Sequence, residues 1–289
     1  MWSVTAEPAT VLGVPELLRL GELVGVQTWP VVLDLWRTHD DADELNAVAA
    51  AADREIHGRG LMEGGEPSAW VAAALRVLSA PERQLEIRIV SDADADADGD
   101  GDGDGAAGDG RRAPETVRIC LARNGHDHVI ARREGGQIGL RHLDVAAESE
   151  LGAIVAREFP PADGATFGGF SAPADELAAR LATCVSSNDV ADALHALGAT
   201  SSDAVALAAG LTSAHARSEI VAVSWTGGTS TQSSGALAIF DTDRGRIVAS
   251  PSKSPDGRVW TTLSPGSGHR IGQAVGLLIE TLPEGRWMP

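Results

Sequence analysis

The stretch LSAPERQLEIRIV, residues 78–90, recurs with changes as LTSAHARSEIVAV, residues 211–223, at an offset of 133. Each copy carries alternating apolar and polar residues after a helical segment, a pattern typical of a half-buried strand. Further on, HVIA at 128–131 matches RIVA at 246–249, at an offset of 118. The difference of 15 residues corresponds to an Asp/Gly run at 91–110, which only the first copy carries.

The repeat predicts an α+β fold with two halves related by a pseudo-two-fold axis, each a largely antiparallel sheet with flanking helices. A stretch rich in Pro and Gly at 159–173 marks the boundary between the halves. The N-terminal half is expected to span 1–165, with a disordered Asp/Gly loop at 91–114. The C-terminal half is expected to span 166–289, with a helical bundle at 173–213 and then a sheet and a last helix.

The individual elements follow from hydrophobic spacing, helix caps and turn signals. Within 173–197, two amphipathic helices are indicated by the stripes Leu177–Leu181–Cys184 and Val190–Leu194–Leu197. The other helices are expected from Pro15 to Gly25 and at 42–57, 68–78, 145–158, 202–213 and 269–282. Strands are expected at 2–5, 85–90, 117–122, 129–133, 137–140, 219–225, 236–240, 246–250 and 259–263.

Length, composition and charge indicate a cytosolic globular protein. A chain of 289 residues with 43% apolar residues can bury a substantial core. The net charge is −18, and removing the eight aspartates of the Asp/Gly run still leaves −10, which argues against nucleic acid or an anionic membrane as partner. No apolar run is long enough to span a membrane, and the first residues do not form a signal peptide. Cys120 and Cys184 are widely separated and predict neither a disulfide framework nor a zinc site.

Two clusters contain residue types that bind metal ions. Asp98, Asp100, Asp102, Asp104 and Asp109 fall at positions 1, 3, 5, 7 and 12 of a calcium loop. The usual Glu at position 12 and flanking helices are missing, so a solvated loop is the favoured interpretation. His126 and His128 lie two residues apart, but no third ligand is indicated. A hairpin tip with exposed histidines is favoured, and neither a metal nor a cofactor is expected.

An enzymatic alternative rests on the turn SPGSGHRIG at 264–272. Its backbone N–H groups, with His269 and Arg270, could hold an anionic substrate of a hydrolase or transferase. A strand-to-helix turn capped by Ser264 or Ser267 is the favoured interpretation. Asp241 and Asp243 are explained by turn chemistry. Neither a GxSxG nor an HExxH motif occurs, and we expect that the protein is not an enzyme.

The sequence resembles the EspG family, secretion-associated proteins of actinobacterial type VII (ESX) systems. The likeness is clearest at 235–283, with the turn DTDRGR at 241–246, Asp256-Gly257 before Trp260, and the helix entry SPG at 264–266. The stretches 16–35 and 54–89 are also similar, including RGL at 59–61. The long acidic run departs from the family pattern.

The resemblance implies a cytosolic chaperone with two related halves, which binds the helical tip of the PPE subunit of a PE–PPE heterodimer. It implies contacts from helices of the C-terminal half, here 173–197, and from the loop that holds the Asp/Gly run. The Asp/Gly run either steers a basic client or is an insertion without a role. The alternative to a contact role for the leucines is a position in the protein core. The implied contact residues are Asp98, Asp100, Asp102, Asp104, Phe167, Phe170, Leu177, Leu181, Leu194 and Leu197.

Overall fold

The computed structural model describes residues 9–36, 41–92 and 114–289. Its strands are β1 (Ala9–Gly13), β2 (Met62–Glu63), β3 (Glu66–Pro67), β4 (Arg83–Ser91), β5 (Glu115–Asn124), β6 (Asp127–Glu134), β7 (Gln137–Leu143), β8 (Phe170–Pro173), β9 (Ala214–Thr226), β10 (Thr229–Gln232), β11 (Leu237–Thr242), β12 (Ile247–Lys253) and β13 (Val259–Pro265). Its α-helices are α1 (Val14–Val24), α2 (Ala42–Gly58), α3 (Ala69–Ser79), α4 (Leu151–Ala156), α5 (Ala174–Leu181), α6 (Ser187–Ala196), α7 (Ser201–Thr212) and α8 (Gly268–Glu280). None of the helices within these ranges is long and apolar enough to cross a membrane.

The two copies of the repeated stretch pair with each other at the centre of one large sheet. Strand β4 runs antiparallel to β9, and Ile87 lies directly opposite Ile220. These two residues are equivalent at the offset of 133 found in the sequence. An antiparallel pair has a local two-fold axis between its strands. In this register the local axis passes between Ile87 and Ile220, which are equivalent residues of the two copies.

Strands follow in the same order on both sides of this pair. On one side lie β5, β6, β7 and β1, and on the other lie β11, β12, β13 and β8, with β10 forming a hairpin with β9. Each outermost strand precedes three helices in the chain, and a further helix, α4 or α8, follows the last hairpin. The predicted α+β class with an antiparallel sheet is confirmed. The rotation that would relate the complete halves stays a prediction.

Helices pack on both faces of the sheet, because successive side chains along each strand point to opposite faces and apolar residues lie on both. One face, with Leu85, Ile119 and Ile239, packs against α4, α8 and Trp287. The opposite face carries two separate helical layers. The N-terminal layer contains α1 and α3 and packs over β5, β6 and β7, whereas the C-terminal layer contains α5, α6 and α7 and packs over β12, β13 and β8.

Several elements differ from the sequence prediction, and the strands β1, β2, β3 and β10 have no counterpart in it. The helix expected at 145–158 is shorter, with a 3-10 turn at Glu148–Glu150 before α4. The side chain of Glu150 accepts a hydrogen bond from the backbone N–H of Ala146, which holds the preceding residues in a turn instead of a helix. Strand β8 lies inside the stretch taken as a linker and pairs with β13. The strand expected at 2–5 lies outside the described residues.

Candidate protein-binding surface

The C-terminal helical layer is positioned by caps and ion pairs at its helix ends. Helix α6 begins with a capping box, in which Ser186 and Asp189 exchange hydrogen bonds between side chain and backbone. The hydroxyl of Thr200 accepts from the backbone N–H of Asp203 at the start of α7. At α5, Arg258 from the β12–β13 turn donates to Glu176 at 2.6 Å and to Asp175 at 3.2 Å. The two caps hold the starts of α6 and α7, and the Arg258 pairs connect the start of α5 to the β12–β13 turn.

The apolar residues proposed as partner contacts divide into two groups. Phe170, Leu177 and Leu194 are buried in the core of the C-terminal layer. Their side chains pack inside the chain, in the core position that is the alternative for the leucines, and their role as partner contacts stays a prediction. The remaining three are half-buried at the edge of that core: Phe167, Leu181 and Leu197. Asp98, Asp100, Asp102 and Asp104 lie outside the described residues.

The loop between α5 and α6 presents an apolar side chain that the sequence analysis did not select. Val185 is 95% exposed. Leu181, Cys184 and Val190 lie half-buried beside it in the chain. We call these four residues the α5–α6 tip. The capping sequence that starts at Ser186 could have revealed that the preceding valine must lie in a surface loop.

The α5–α6 tip is held in place by one carboxylate. The side chain of Asp189 accepts from the backbone N–H of Val185 at 3.1 Å and from that of Ser186 at 2.9 Å. Hydrogen bonding with the Ser186 side chain, and then with the Val185 N–H, keeps the pKa of Asp189 below its usual range. The carboxylate therefore stays ionised at neutral pH and keeps Val185 in a fixed, solvent-facing position.

The turn DTDRGR at 241–246 holds three segments of the chain together. Arg246 is 2% exposed and forms a two-pronged ion pair with Asp241, at 2.5 and 3.0 Å. Its backbone carbonyl accepts from the backbone N–H groups of Ala165 and Gly266, which brings the segment before β8 and the entry of α8 together. Gly245 has φ +101°, and a side chain there would collide with the backbone of Ala165. The turn thus stabilises the fold, and both carboxylate oxygens of Asp241 are occupied by the ion pair with Arg246.

The turn at 264–272 has the geometry of a capped helix start. The Ser267 hydroxyl accepts from the backbone N–H of Arg270 at 3.2 Å, and the guanidinium of Arg270 donates to Gln273. Ser264 is buried, and its hydroxyl donates to the carbonyl of Val248. His269 lies in an open groove between α4 and α8 that is lined mainly by Gly and Ala. This arrangement agrees with the capped turn favoured from sequence.

The histidine pair does not form an exposed hairpin tip as expected. His126 is exposed, but His128 is completely buried. The ring of His128 contacts the carbonyl of His126 through Nδ1 at 2.9 Å, and its Nε2 accepts from the indole N–H of Trp287 at 3.0 Å. Both ring nitrogens are therefore occupied within the chain. Within 9–36, 41–92 and 114–289 no group of three His, Cys, Asp or Glu side chains is placed to hold a metal ion.

The burial of His128 predicts a loss of stability in weak acid. Burial is the main cause that lowers the pKa of His128. Below about pH 6.5, the usual histidine pKa, the unfolded chain takes up a proton that the folded chain does not. The free energy of unfolding should therefore fall as the pH drops from 6.5 toward 5, measured by urea denaturation. This slope should be smaller in His128→Gln and unchanged in His126→Gln, and parallel profiles in all three proteins would contradict the prediction.

Most of the chain matches a known protein family. A model of the EspG family matches residues 14–276. The chain belongs to the EspG family. Among relatives, the ESX-3 secretion-associated protein EspG3 of Mycobacterium tuberculosis (strain CDC 1551 / Oshkosh) is 29% identical, over 97% of this chain and 94% of the relative. The ESX-1 secretion-associated protein EspG1 of Mycobacterium tuberculosis (strain ATCC 25618 / H37Rv) is 27% identical, over 94% of this chain and 87% of the relative.

This EspG protein also has the fold of a solved member. The Mycobacterium tuberculosis type VII secretion system chaperone EspG5, solved in complex with the PE25–PPE41 dimer, superposes with a TM-score of 0.76 at 20% identity. The match covers 97% of this chain and 99% of that chain. The shared fold therefore extends over nearly the whole of both chains.

Proposed function

We propose that this EspG protein is a cytosolic secretion chaperone of an ESX system, which acts by binding rather than catalysis. Its client is the helical tip of the PPE subunit in a PE–PPE heterodimer. The proposal is supported by membership of a family whose relatives are named secretion-associated proteins, and by the fold shared with a chaperone solved with a PE–PPE dimer. An exposed apolar helix tip aggregates unless another protein covers it.

The location of the client-binding surface is inferred from one observation, the exposed α5–α6 tip. Val185 extends almost fully into solvent while Asp189 fixes its backbone. A segment whose backbone is already held loses less conformational freedom on binding, so burial of its apolar side chain contributes more to affinity. Leu181 and Val190, which flank it in the chain, are half-buried against the core of the C-terminal layer. The tip therefore suits the apolar end of a helical client.

Co-expression tests the chaperone function directly. A PE–PPE pair encoded beside the gene should be recovered as a soluble complex with one copy of each protein, and it should aggregate without the chaperone. Size-exclusion chromatography with light scattering gives the stoichiometry. A PE–PPE pair that is soluble alone, with no complex after mixing, would contradict the function.

A pair of matched variants tests the surface. Val185→Asp should weaken binding of the PE–PPE pair by about tenfold or more, because a carboxylate must then be desolvated at an apolar contact. Val31→Asp is the control, because Val31 is similarly exposed but lies in the N-terminal half. Calorimetric titration measures both affinities. Equal affinities would place the client elsewhere and leave the chaperone function standing.

A further inference from the structure

The segment that follows α8 is held on the sheet by a few contacts. Residues 281–289, all of which the structure describes, contain neither a helix nor a strand. Glu284 forms an ion pair with Arg83 of β4, and the backbone N–H of Trp287 donates to Glu148 at 2.7 Å. We call residues 281–289 the Trp287 segment. Because few bonds hold it, the segment can detach at a lower free-energy cost than unfolding of the sheet.

One contact joins the Trp287 segment to a titratable group. The rings of Trp287 and His128 are stacked with their centroids 6.3 Å apart, and both side chains are completely buried. The Nδ1 atom of His128 lies 2.9 Å from the carbonyl oxygen of His126, which can only accept, so Nδ1 carries the hydrogen. The other ring nitrogen, Nε2, is therefore an unprotonated acceptor, 3.0 Å from the indole nitrogen that donates to it. This contact requires the neutral ring.

A proton on Nε2 of His128 removes this hydrogen bond. The indole N–H is a donor only, and both nitrogens of a protonated histidine are donors. Two N–H groups would then face each other across 3.0 Å, and a positive charge would lie in the core without an acceptor at Nε2. Burial of a charge without a partner is costly. Detachment of Trp287 relieves both costs, because water can then reach Nε2.

The charged groups on the neighbouring strands do not offset this cost. Arg123 lies directly opposite His128 on β5 and is paired with Glu82 at 2.9 Å. On β7, Nε2 of His142 lies 4.0 Å from the carboxylate of Asp127, whose side chain is 71% exposed. Burial is the main cause that lowers the pKa of His128, and the charges of Arg123 and His142 act in the same direction. The hydrogen bond at Nδ1 and the charge of Asp127 oppose them but do not prevail.

The charged groups on the Trp287 segment and beside α4 do not neutralise the imidazole either. Arg286 adds a positive charge that acts on Arg123. Glu284 is engaged by Arg83, and Glu148 accepts the backbone N–H of the segment. These two carboxylates therefore hold the segment in place through other partners.

We propose that His128 and Trp287 form a pH-sensitive switch. The Trp287 segment stays docked on the neutral imidazole, and uptake of one proton by His128 detaches the segment while the sheet stays folded. Detachment exposes the apolar side chains of Leu282 and Trp287, which are buried in the docked form. The switch does not rest on the proposed chaperone function, because the segment packs on the face of the sheet opposite to the helices of the α5–α6 tip.

The usual histidine pKa sets the size of the effect. When the docked form takes up no proton and the detached form titrates at about pH 6.5, the ratio of detached to docked molecules rises about tenfold between pH 7.5 and pH 5.5. Detachment is favoured as the pH falls through the pKa of the detached form, because only that form binds the proton. Glutamate side chains, with a usual pKa of about 4.3, stay ionised over this range. The contacts of Glu148 and Glu284 are therefore retained in the docked form.

Hydrogen exchange of the intact protein measures this ratio. Peptides that cover 281–289 are followed by mass spectrometry at pH 7.5 and pH 5.5, with each rate corrected for intrinsic exchange at that pH. We expect the protection of the Trp287 segment to fall about tenfold, and to be lower than that of β4 and β9 at both pH values. Equal protection of the segment and these central strands would show that only global unfolding frees the segment, and would overturn the proposal. Protection of the segment that is independent of pH would also overturn it.

A matched pair of histidine variants assigns the effect. His128→Gln keeps an acceptor for the indole N–H but takes up no proton, so the segment should be equally protected at both pH values. His126→Gln removes an exposed histidine two positions away and should retain the fall of about tenfold. The same fall in His128→Gln would contradict the role of this side chain. The comparison with β4 and β9 in the unmodified protein needs no variant, so a folding defect in His128→Gln leaves the test intact.

The switch and the chaperone function can fail separately. His128→Gln should bind the PE–PPE pair at pH 7.5 with the affinity of the unmodified protein in calorimetric titration, because it lies away from the α5–α6 tip. Absence of a PE–PPE complex with either protein would contradict the chaperone function and leave the exchange result standing.

Discussion

Replacing Trp287 with alanine is expected to lower the free energy of unfolding by about 3–5 kcal/mol, the range for truncating a fully buried tryptophan. Trp287 has 0% exposure and lies in the core between the sheet and α8. Its loss leaves a cavity and also removes the donor to the buried Nε2 of His128. Such a cost is a large fraction of the total stability of an ordinary domain.

The effect should be large because Trp287 joins both halves. Its backbone N–H donates to Glu148 at 2.7 Å, and the nearby Glu284 forms an ion pair with Arg83 of β4. The segment after α8 therefore fastens the C-terminal half onto strands of the N-terminal half. Loosening this segment should expose the core of α4 and α8 together.

Two controls separate packing from hydrogen bonding. Trp287→Phe keeps most of the ring volume and should cost roughly 1–3 kcal/mol, because the acceptor on His128 loses its partner. Trp36→Ala removes an exposed tryptophan and should change stability by less than about 0.5 kcal/mol. Urea denaturation of the three variants provides the comparison. Similar losses in Trp287→Ala and Trp36→Ala would contradict the packing argument.

Much of the fold could be predicted because its signals are local. Period-two alternation identified the strands around the centre of the sheet, and the repeat offset of 133 anticipated that Ile87 and Ile220 are equivalent. Helix α1 begins after Gly13 and ends at Gly25, which has φ +83°, as Pro15 and the glycine indicated. The strand and helix signals depend on neighbours in sequence, and the repeat is visible when the sequence is compared with itself.

What could not be predicted depends on contacts between distant segments. Strand β8 has only four residues and is defined by its pairing with β13, about 90 positions later. The buried state of His128 depends on Trp287, which is 159 residues away. Of the apolar candidates, Leu177 and Leu194 fit a helical stripe equally well as core or contact residues. The packing of α5–α7 on the sheet is what shows that Leu177 and Leu194 are buried, whereas Val185 is exposed.

Replacing Asp241 with alanine is expected to destabilise the protein by roughly 3–5 kcal/mol, because Arg246 would remain buried without its counter-ion. The guanidinium also lies over the ring of Phe159 at 5.8 Å, so it cannot easily turn toward solvent. The double variant Asp241→Ala/Arg246→Met should recover much of the loss, since no charge is then buried alone. Asp243→Ala in the same turn is the control, because Asp243 is exposed.

Urea denaturation of the single and double variants measures the coupling between Asp241 and Arg246. A loss below about 1 kcal/mol in Asp241→Ala would mean that the ion pair is weakly coupled and that the backbone bonds of Arg246 hold the turn alone. A large loss that the double variant relieves would instead assign the turn DTDRGR to folding. PE–PPE binding per folded molecule should then be unchanged in the double variant, because the motif residues act in folding.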